Sequence, residues 1–384
     1  MRCSRRQRIG VVLTCVMAIG MPSSETDSSD SLSIREWPRL LQQAQRGNVK
    51  AQRRVAIAFK KGDVVKQDFA EAIRWFSEAA KKGDPIAEFN LGSMYHDGQG
   101  VERNQTAAVQ WFEKAASHGL TEAQFNTARC YEIGMGVQPN LARAFNFYRE
   151  AAERGYAPAE NNLAHMYETG EGVARNPVAA MTWYMKSATQ GHAKAQFNLA
   201  IMYSHGTGVS VDYKKAGEWL QKAAKQGHTE SQTALGDLYL RGWGVHQDGR
   251  LAAFWLQKGA SQGDPAAQTE LGLLYLNGLG VAPNAALAAM WLSKAAEQDQ
   301  HEAQAELASL YEWGRGVPRD LNRAYLWRLL SHDEASPPND QLRNLANQMD
   351  DSDIANAERR ASEWRHAHPA MRKAEFESAL MPCP

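Results

Sequence analysis

Apolar and polar positions alternate along most of the chain with the period of an amphipathic helix, and glycine-rich segments interrupt the pattern at regular intervals. In one stretch, the positions that share a face are Ala195, Leu199, Ala200 and Tyr203. After the interruption, a second face follows with Ala216, Trp219, Leu220, Ala223 and Ala224. Both sets fit a helix of 3.6 residues per turn. The pattern therefore predicts paired amphipathic helices joined by short turns.

A marker residue recurs every 36 positions, and it gives the pairs a common numbering. The markers are Gly47, Gly83, Gly119, Gly155, Gly191, Gly227 and Gly263, with Asp299 in the eighth place. Counted from the marker, every block has an aromatic residue at +12, Gly at +15 and Val at +18. A fixed period of this length is typical of repeat architectures. We predict an all-α fold, a right-handed α-solenoid of eight 36-residue helix-turn-helix repeats over residues 47–334, with helical caps.

The recurring polar and aromatic positions have structural interpretations. Position +21, where the second helix opens, holds Asp68, Asn104, Asn140, Asn176, Asp212, Asp248, Asn284 and Asp320. Asp and Asn at a helix start are predicted N-caps rather than metal ligands. The pairs Asp84-Pro85 and Asp264-Pro265 predict capped starts for first helices. Trp occupies position +28 in seven repeats and is predicted to pack in the core.

Solenoid ends need caps, because a terminal repeat exposes the face that a neighbour would cover. Residues 34–46 predict a lone second helix before the first repeat. At the other end, Ser336-Pro-Pro338 breaks the register. Two helices are predicted after it, near residues 340–349 and 353–366, with Ser352 as the N-cap of the second. Residues 335–384 are therefore expected to form capping helices and a tail.

The repeated residues resemble those of the Sel-one-like repeat family, a branch of the tetratricopeptide-like solenoids. The shared motif reads Gly-x3-Ala-x3-Leu-Gly/Ala-x2-Tyr-x2-Gly-x-Gly-Val-x2-Asp/Asn-x3-Ala-x2-Trp-x2-Lys-Ala-Ala-x2-Gly, and it covers residues 47–334. Departures concentrate at the ends, with Val64 for the second Gly in repeat one and Ser331-His332 for Ala-Ala in repeat eight. The resemblance implies an adaptor in envelope signalling, exopolysaccharide assembly or host interaction. The cysteines of the family's cysteine-rich branch are absent, so the β-lactamase activity described there is not expected.

The amino terminus predicts export. Four arginines precede the apolar run of residues 9–21, which has the length of a secretory h-region and ends near Ala18-Ile19-Gly20. We expect residues 1–20 to be a signal peptide, residues 21–33 a flexible leader, and the protein to be periplasmic or secreted. The alternatives are an uncleaved anchor, a lipoprotein box at Leu13-Thr14-Cys15 and a twin-arginine signal at residues 4–8.

Charge and motifs restrict the possible chemistry. Lys and Arg number 43 and so do Asp and Glu, which argues against a nucleic-acid binder. The sequence lacks the spaced motifs of metal, nucleotide and hydrolase sites, so no cofactor, metal or catalytic residue is predicted. Cys130 occupies a core position, and Cys383 near the terminus has no assigned role. We expect a non-catalytic scaffold or adaptor of the bacterial cell envelope that binds a protein or peptide. An envelope enzyme, a glycan or peptidoglycan binder, and a secreted host-interaction factor are the alternatives.

The first predicted binding surface is the concave face, formed by first-helix positions +3, +6, +10 and +13 by analogy with tetratricopeptide repeats. Position +6 holds Arg53, Phe89, Phe125, Asn161 and Phe197, and position +10 includes Arg129 and His165. We expect Arg53, Phe89, Phe125 and Arg129 to bind the partner, with packing between repeats as the alternative. Asn90, Asn126, Asn162 and Asn198 at +7 are expected to bond neighbouring backbone.

The second predicted surface lies at the turns of repeats six to eight. The turns of repeats two and four are polar, whereas the later ones carry Leu240, Trp243, Leu276, Leu279 and Trp313. Equivalent turns of consecutive repeats lie side by side, so we expect these residues to form one apolar strip. Such a strip is typical of a contact with a partner or a second copy of the chain. A carboxy-terminal region folded back over it is the alternative.

Overall fold

The computed structural model describes residues 34–332 and 340–368, which contain 19 α-helices and no strand. The predicted signal peptide, the leader, Cys3, Cys15 and Cys383 lie outside the described residues. The helices are α1 (Trp37–Gln45), α2 (Val49–Lys61), α3 (Phe69–Ala80), α4 (Pro85–Asp97), α5 (Gln105–Ser117), α6 (Thr121–Ile133), α7 (Leu141–Glu153), α8 (Ala157–Thr169), α9 (Pro177–Thr189), α10 (Ala193–His205), α11 (Tyr213–Lys225), α12 (Thr229–Arg241), α13 (Gly249–Ser261), α14 (Pro265–Asn277), α15 (Ala285–Ala296), α16 (His301–Trp313), α17 (Leu321–Leu330), α18 (Asp340–Ala346) and α19 (Asp351–Ala367).

Each repeat contributes two helices, and the first helices are the even-numbered α2 to α16. The described residues divide into two compact units, an amino-terminal unit up to Val211 and a carboxy-terminal unit from Asp212. Within each unit, helices consecutive in sequence pack against each other. The predicted all-α solenoid class is confirmed.

Paired glycines set the turn in repeats two to eight, and repeat one has Gly62 with Val64 in place of the second glycine. The first, at +15, ends the first helix in the left-handed conformation in all eight repeats, for example with φ of 73° at Gly98. A side chain is unfavourable at such a φ, so glycine is preferred there. The second glycine, at +17, touches the preceding second helix. A Cβ atom built on Gly208 would lie 2.6 Å from the carbonyl oxygen of Pro177.

Polar caps begin the helices as the sequence predicts. All eight Asp or Asn side chains at +21 accept a hydrogen bond from a backbone N–H of the first turn. Asp84 and Asp264 likewise cap α4 and α14, each 2.8 Å from the donor nitrogen. These side chains are therefore structural, and each satisfies a donor that would otherwise lack a partner.

Additional helices pack against the first and the last repeat. Leu40 and Ala44 of α1 are buried against the first repeat, within residues 34–46. Leu342 of α18 and Ala357 of α19 belong to the same buried cluster as Leu326 of the last repeat. The predicted cap at Ser352 is wrong, because Asp350 stands at that position and Ser352 lies inside α19. No helix in the described ranges is long and apolar enough to cross a bilayer.

Candidate interaction surfaces

Position +6 of the first helices does not face solvent as the comparison with tetratricopeptide repeats suggested. Phe89 is 2% exposed and its ring lies 5.4 Å from that of Phe112, while Phe197 is also buried. The expectation that Phe89 lies on an accessible surface is therefore wrong. Arg53 is half-buried and donates from Nη1 to Oδ2 of Asp84 at 2.8 Å, so it ties the first repeat to the second.

Phe125 and Arg129 lie together at the edge of the core. The half-buried Phe125 ring stands 5.7 Å from Tyr148 and 5.4 Å from Tyr156, and the Arg129 guanidinium lies 6.0 Å from it. Burial raises the pKa of the Tyr148 phenol well above its usual value. Packing within the unit accounts for these contacts, and partner binding by this pair stays a prediction.

Two of the asparagines at +7 bond within their own helices, whereas Asn198 Nδ2 donates to Asn161 Oδ1 of the preceding repeat at 3.1 Å. Asn90 Nδ2 donates to Ile86 O at 2.8 Å, and Asn126 donates to Glu122 O at 2.9 Å. A link to another repeat comes from Lys60, whose Nζ donates to Asn90 Oδ1 at 3.0 Å and whose pKa is lowered by burial. Asn90 and Asn126 therefore do not form the expected ladder to the backbone of neighbouring repeats.

In repeats three, four, six and seven, the residue at +13 of the first helix packs or hydrogen-bonds with matching chemistry at +29 of the second helix. Tyr148 donates to Glu132 at 2.6 Å, and Tyr184 donates to Glu168 at 2.9 Å. In repeats six and seven both positions are leucine: Leu240 packs on the cluster that contains Leu256, and Leu276 on the one that contains Leu292. Leu240 and Leu276 are half-buried, and their part in a partner-binding strip stays a prediction.

The remaining three turn residues are exposed, and we call them the turn-edge strip: Trp243, Leu279 and Trp313. Their exposed fractions are 43%, 53% and 70%. The Trp243 ring rests against Tyr213 at 5.3 Å, with the Arg241 guanidinium 5.0 Å away. Trp313 is the last residue of α16 and has the greater exposure. Exposed large apolar side chains of this kind mark contact surfaces when they recur together.

The turns that hold the markers form a polar ladder. Gln232, Gln268 and Gln304 at +5 each donate to a carbonyl at the end of the preceding second helix, at 3.2 Å. Repeats two and four have a glutamate there instead. Glu88 Oε2 lies 2.7 Å from His118 Nδ1. Glu160 Oε2 accepts from Gln190 Nε2 at 2.6 Å, and burial raises the pKa of this carboxyl.

Charge differs between first helices and second helices in the carboxy-terminal unit. The first helices α12, α14 and α16 carry six acidic residues and one base, Arg241. The second helices α11, α13 and α15 carry seven basic residues and one acid, Glu218. The zero net charge of the chain conceals this difference between helices. A count of charges helix by helix along the sequence would have revealed it.

An apolar patch on the same second helices was also missed. Leu251 and Phe254 of α13 and Met290 of α15 are 40%, 52% and 40% exposed. We call these three residues the outward patch. The signal was available at position +27, which is polar in the first five repeats and apolar in the last three.

Within the described ranges, no three His, Cys, Asp or Glu side chains are grouped to hold a metal. Cys130 is fully buried, and burial raises the pKa of its thiol to about 12, so it is a core residue. An open depression on α7 is lined by Arg143, Asn146, Phe147 and Glu150. It presents no nucleophile paired with a base.

Comparison with known proteins identifies the repeat. The Sel1 repeat model matches eight consecutive segments, at residues 49–84, 85–120, 121–156, 157–192, 193–228, 229–264, 265–300 and 301–327. No curated protein sequence matches significantly.

Among solved structures, a Sel1 repeat protein from Oxalobacter formigenes is 30% identical, with a TM-score of 0.63 over 82% of this chain and 90% of that one. The protein c5321, a protective antigen of uropathogenic Escherichia coli with an SLR fold, is 28% identical, with a TM-score of 0.48 and 91% of each chain covered. The immunity protein Pa5087 from Pseudomonas aeruginosa is 23% identical, with a TM-score of 0.35 over 62% of this chain and 81% of that one. The eight matched repeats and the 30% identical structure show that the chain belongs to the Sel1 repeat family.

Proposed function

We propose that this protein is a non-catalytic adaptor of the bacterial cell envelope that binds a protein partner through the turn-edge strip. Sel1 repeat proteins generally mediate protein–protein interactions, and their helical fold is typically a scaffold without catalytic activity. The observation that carries the proposal is the recurrence of exposed apolar side chains at the turns of repeats six to eight. Trp, which anchors many interfaces, supplies two of the three.

Two features support a partner on this edge. Trp243 and Leu279 occupy the same position, +16, between the paired glycines of consecutive repeats. The glycine that follows each of them lies on the backbone of the preceding second helix, and this contact holds the turn in place. A preformed apolar surface loses little conformational freedom on binding. The envelope location rests on the basic and apolar residues 1–21.

The test is site-specific photocrosslinking in cells that make the protein natively. A photoreactive side chain at Leu279 should give a defined crosslinked partner, because the side chain is 53% exposed. The matched control is Ile133, which also lies at a turn and is 46% exposed, but belongs to the amino-terminal unit.

The double variant Trp243→Ser, Leu279→Ser should then lower the affinity for that partner at least tenfold while the helical circular dichroism is retained. Ile133→Ser should leave the affinity unchanged. Equal capture by the folded double variant and the wild type would contradict the proposed function.

A further inference from the structure

The outward patch lies on two neighbouring second helices. Leu251 and Phe254 are three residues apart and therefore share a face of α13, and Met290 occupies on α15 the position that Phe254 occupies on α13. The turn that leads into α15 lies on the start of α13, since a Cβ atom built on Gly280 would lie 2.0 Å from the carbonyl carbon of Gly249. The three exposed side chains therefore form one surface.

The repeat itself does not require an apolar side chain here. The residues at +27 in the first five repeats are Arg74, Gln110, Asn146, Thr182 and Glu218. In the eighth repeat the equivalent Leu326 is buried in a cluster with residues of α18 and α19. Phe254 and Met290 remain 52% and 40% exposed, so the described residues give them no comparable cover.

The second helices that carry and precede the patch are rich in cations. All seven basic residues of α11, α13 and α15 are exposed, Glu218 is the one acid within these helices, and Asp212 and Asp248 are N-caps. In the amino-terminal unit, the second helices α3, α5, α7 and α9 carry five bases and five acids. The charge bias therefore accompanies the apolar side chains and is not a general property of second helices.

This combination fits an anionic lipid surface better than a protein. Lysine is depleted at protein–protein interfaces, whereas apolar side chains ringed by Lys and Arg are typical of elements that lie in the membrane interface. Within the helices compared, six acids lie on the first helices α12, α14 and α16 and one, Glu218, on the second helices α11, α13 and α15. We propose that the outward patch and the basic residues around it dock the carboxy-terminal unit on a bilayer that contains anionic phospholipid.

Docking on lipid goes beyond the proposed adaptor function and uses different residues. Phe254 and Met290 insert among the acyl chains at the interface, and the cations contact lipid phosphates. The turn-edge strip is not part of the lipid contact, so the two activities can be lost separately.

The test uses the full chain and sedimentation with vesicles. Vesicles of phosphatidylcholine with about 30% phosphatidylglycerol should bind the protein at least tenfold more tightly than pure phosphatidylcholine, and added salt should weaken the binding. The variant Phe254→Ser, Met290→Ser should lose at least tenfold in affinity. Val178→Ser is the matched control, because Val178 is a 65% exposed apolar residue on second helix α9.

A second variant tests the charge without touching the apolar residues. The triple change Lys214→Gln, Lys225→Gln, Arg250→Gln removes exposed cations and should lower binding to the anionic vesicles and reduce its salt dependence. This variant keeps the proposal testable if the serine variant fails to fold.

Three outcomes would overturn the proposal. One is the absence of preference for anionic vesicles. Another is equal binding by folded patch variants, which would place the contact elsewhere, for instance in the apolar residues 9–21. The third is an oligomer that Phe254→Ser, Met290→Ser dissociates without any change in vesicle binding, which would identify a second copy as the occupant. The variant Trp243→Ser, Leu279→Ser should bind the vesicles like the wild type even if it no longer captures the protein partner.

Discussion

At the scale of single residues, the polar ladder shows how the glutamine at +5 serves the repeats that have it. A glutamine at +5 can donate to the carbonyl of the preceding helix and also accept from the glutamine at +35. Gln268 does both, since it accepts from Gln298 Nε2 at 2.8 Å. A glutamate can only accept when ionised, so Glu160 leaves the donor role unfilled.

We predict that Glu160→Gln stabilises the protein by about 1 kcal/mol at pH 7, because it restores a donor and removes a buried charge. Burial raises the pKa of the Glu160 carboxyl in the folded state above its unfolded value. The wild type therefore loses stability as the pH rises through that folded pKa, and the variant does not. Urea unfolding at pH 4 and pH 7 should show a gain at pH 7 that shrinks at pH 4.

The reverse change in the other unit, Gln232→Glu, is the control and should cost stability at pH 7, because it removes the bond from Gln232 to Ala224 O. A Glu160→Gln variant with the same pH dependence as the wild type would show that this carboxyl keeps an ordinary pKa.

At the scale of helix pairs, the residues at +13 and +29 differ together from one repeat to another. Glu with Tyr in repeats three and four becomes Leu with Leu in repeats six and seven. Each pair forms either a hydrogen bond or an apolar contact between its two side chains. A change at one position alone therefore leaves a polar group without a partner or places it against an apolar side chain.

We predict that Leu240→Glu alone lowers the free energy of unfolding by about 2 kcal/mol, because it sets a carboxylate against the cluster of Leu256. Adding Leu256→Tyr should recover at least about 1 kcal/mol, because it recreates the hydrogen bond of Glu132 and Tyr148. A double-mutant cycle by denaturant unfolding measures the recovery.

The mismatched double variant Leu276→Glu, Leu256→Tyr is the control. It divides the new groups between two repeats and should show additive losses. A coupling energy as large in the mismatched pair would refute pairing within the repeat.

The sequence predicted the helices, their N-caps and the glycine turns because each follows from one residue type at one spacing. It failed at Phe89 because the +6 slot was placed by analogy, and here the Phe112 ring fills the space beside it. It did not foresee that Leu240 packs on the cluster of Leu256, because turns were compared along the chain rather than with the helix that each turn faces. The exposure of Trp243, Leu279 and Trp313 was foreseeable because a large apolar side chain beside a turn glycine has few ways to be buried.

At the scale of the whole molecule, the proposed location depends on residues outside the described ranges. Residues 1–20 contain four Arg and no acid. We predict that residues 1–33, fused to alkaline phosphatase lacking its own signal, give active enzyme, because that enzyme folds only where disulfides form.

The control fusion replaces Val11, Val12 and Leu13 with Asp, which removes the apolar run and should leave the phosphatase inactive. Activity that survives this change, or an inactive parent fusion, would contradict export by this segment.

The close approach of the second glycine also bears on how such a chain changes length during evolution. Each of these glycines rests on the start of the preceding second helix, for example Gly100 on Phe69. In repeat one, Val64 occupies the position of the second glycine. The helix before this repeat, α1, begins at Trp37, which is four residues later than the start of an equivalent second helix. A gene duplication of one 36-residue block inside the array therefore carries both halves of the contact with it, and it lengthens the protein without a new junction. The first and last repeats also contact their caps, so we expect repeats to be gained and lost in the interior of the array.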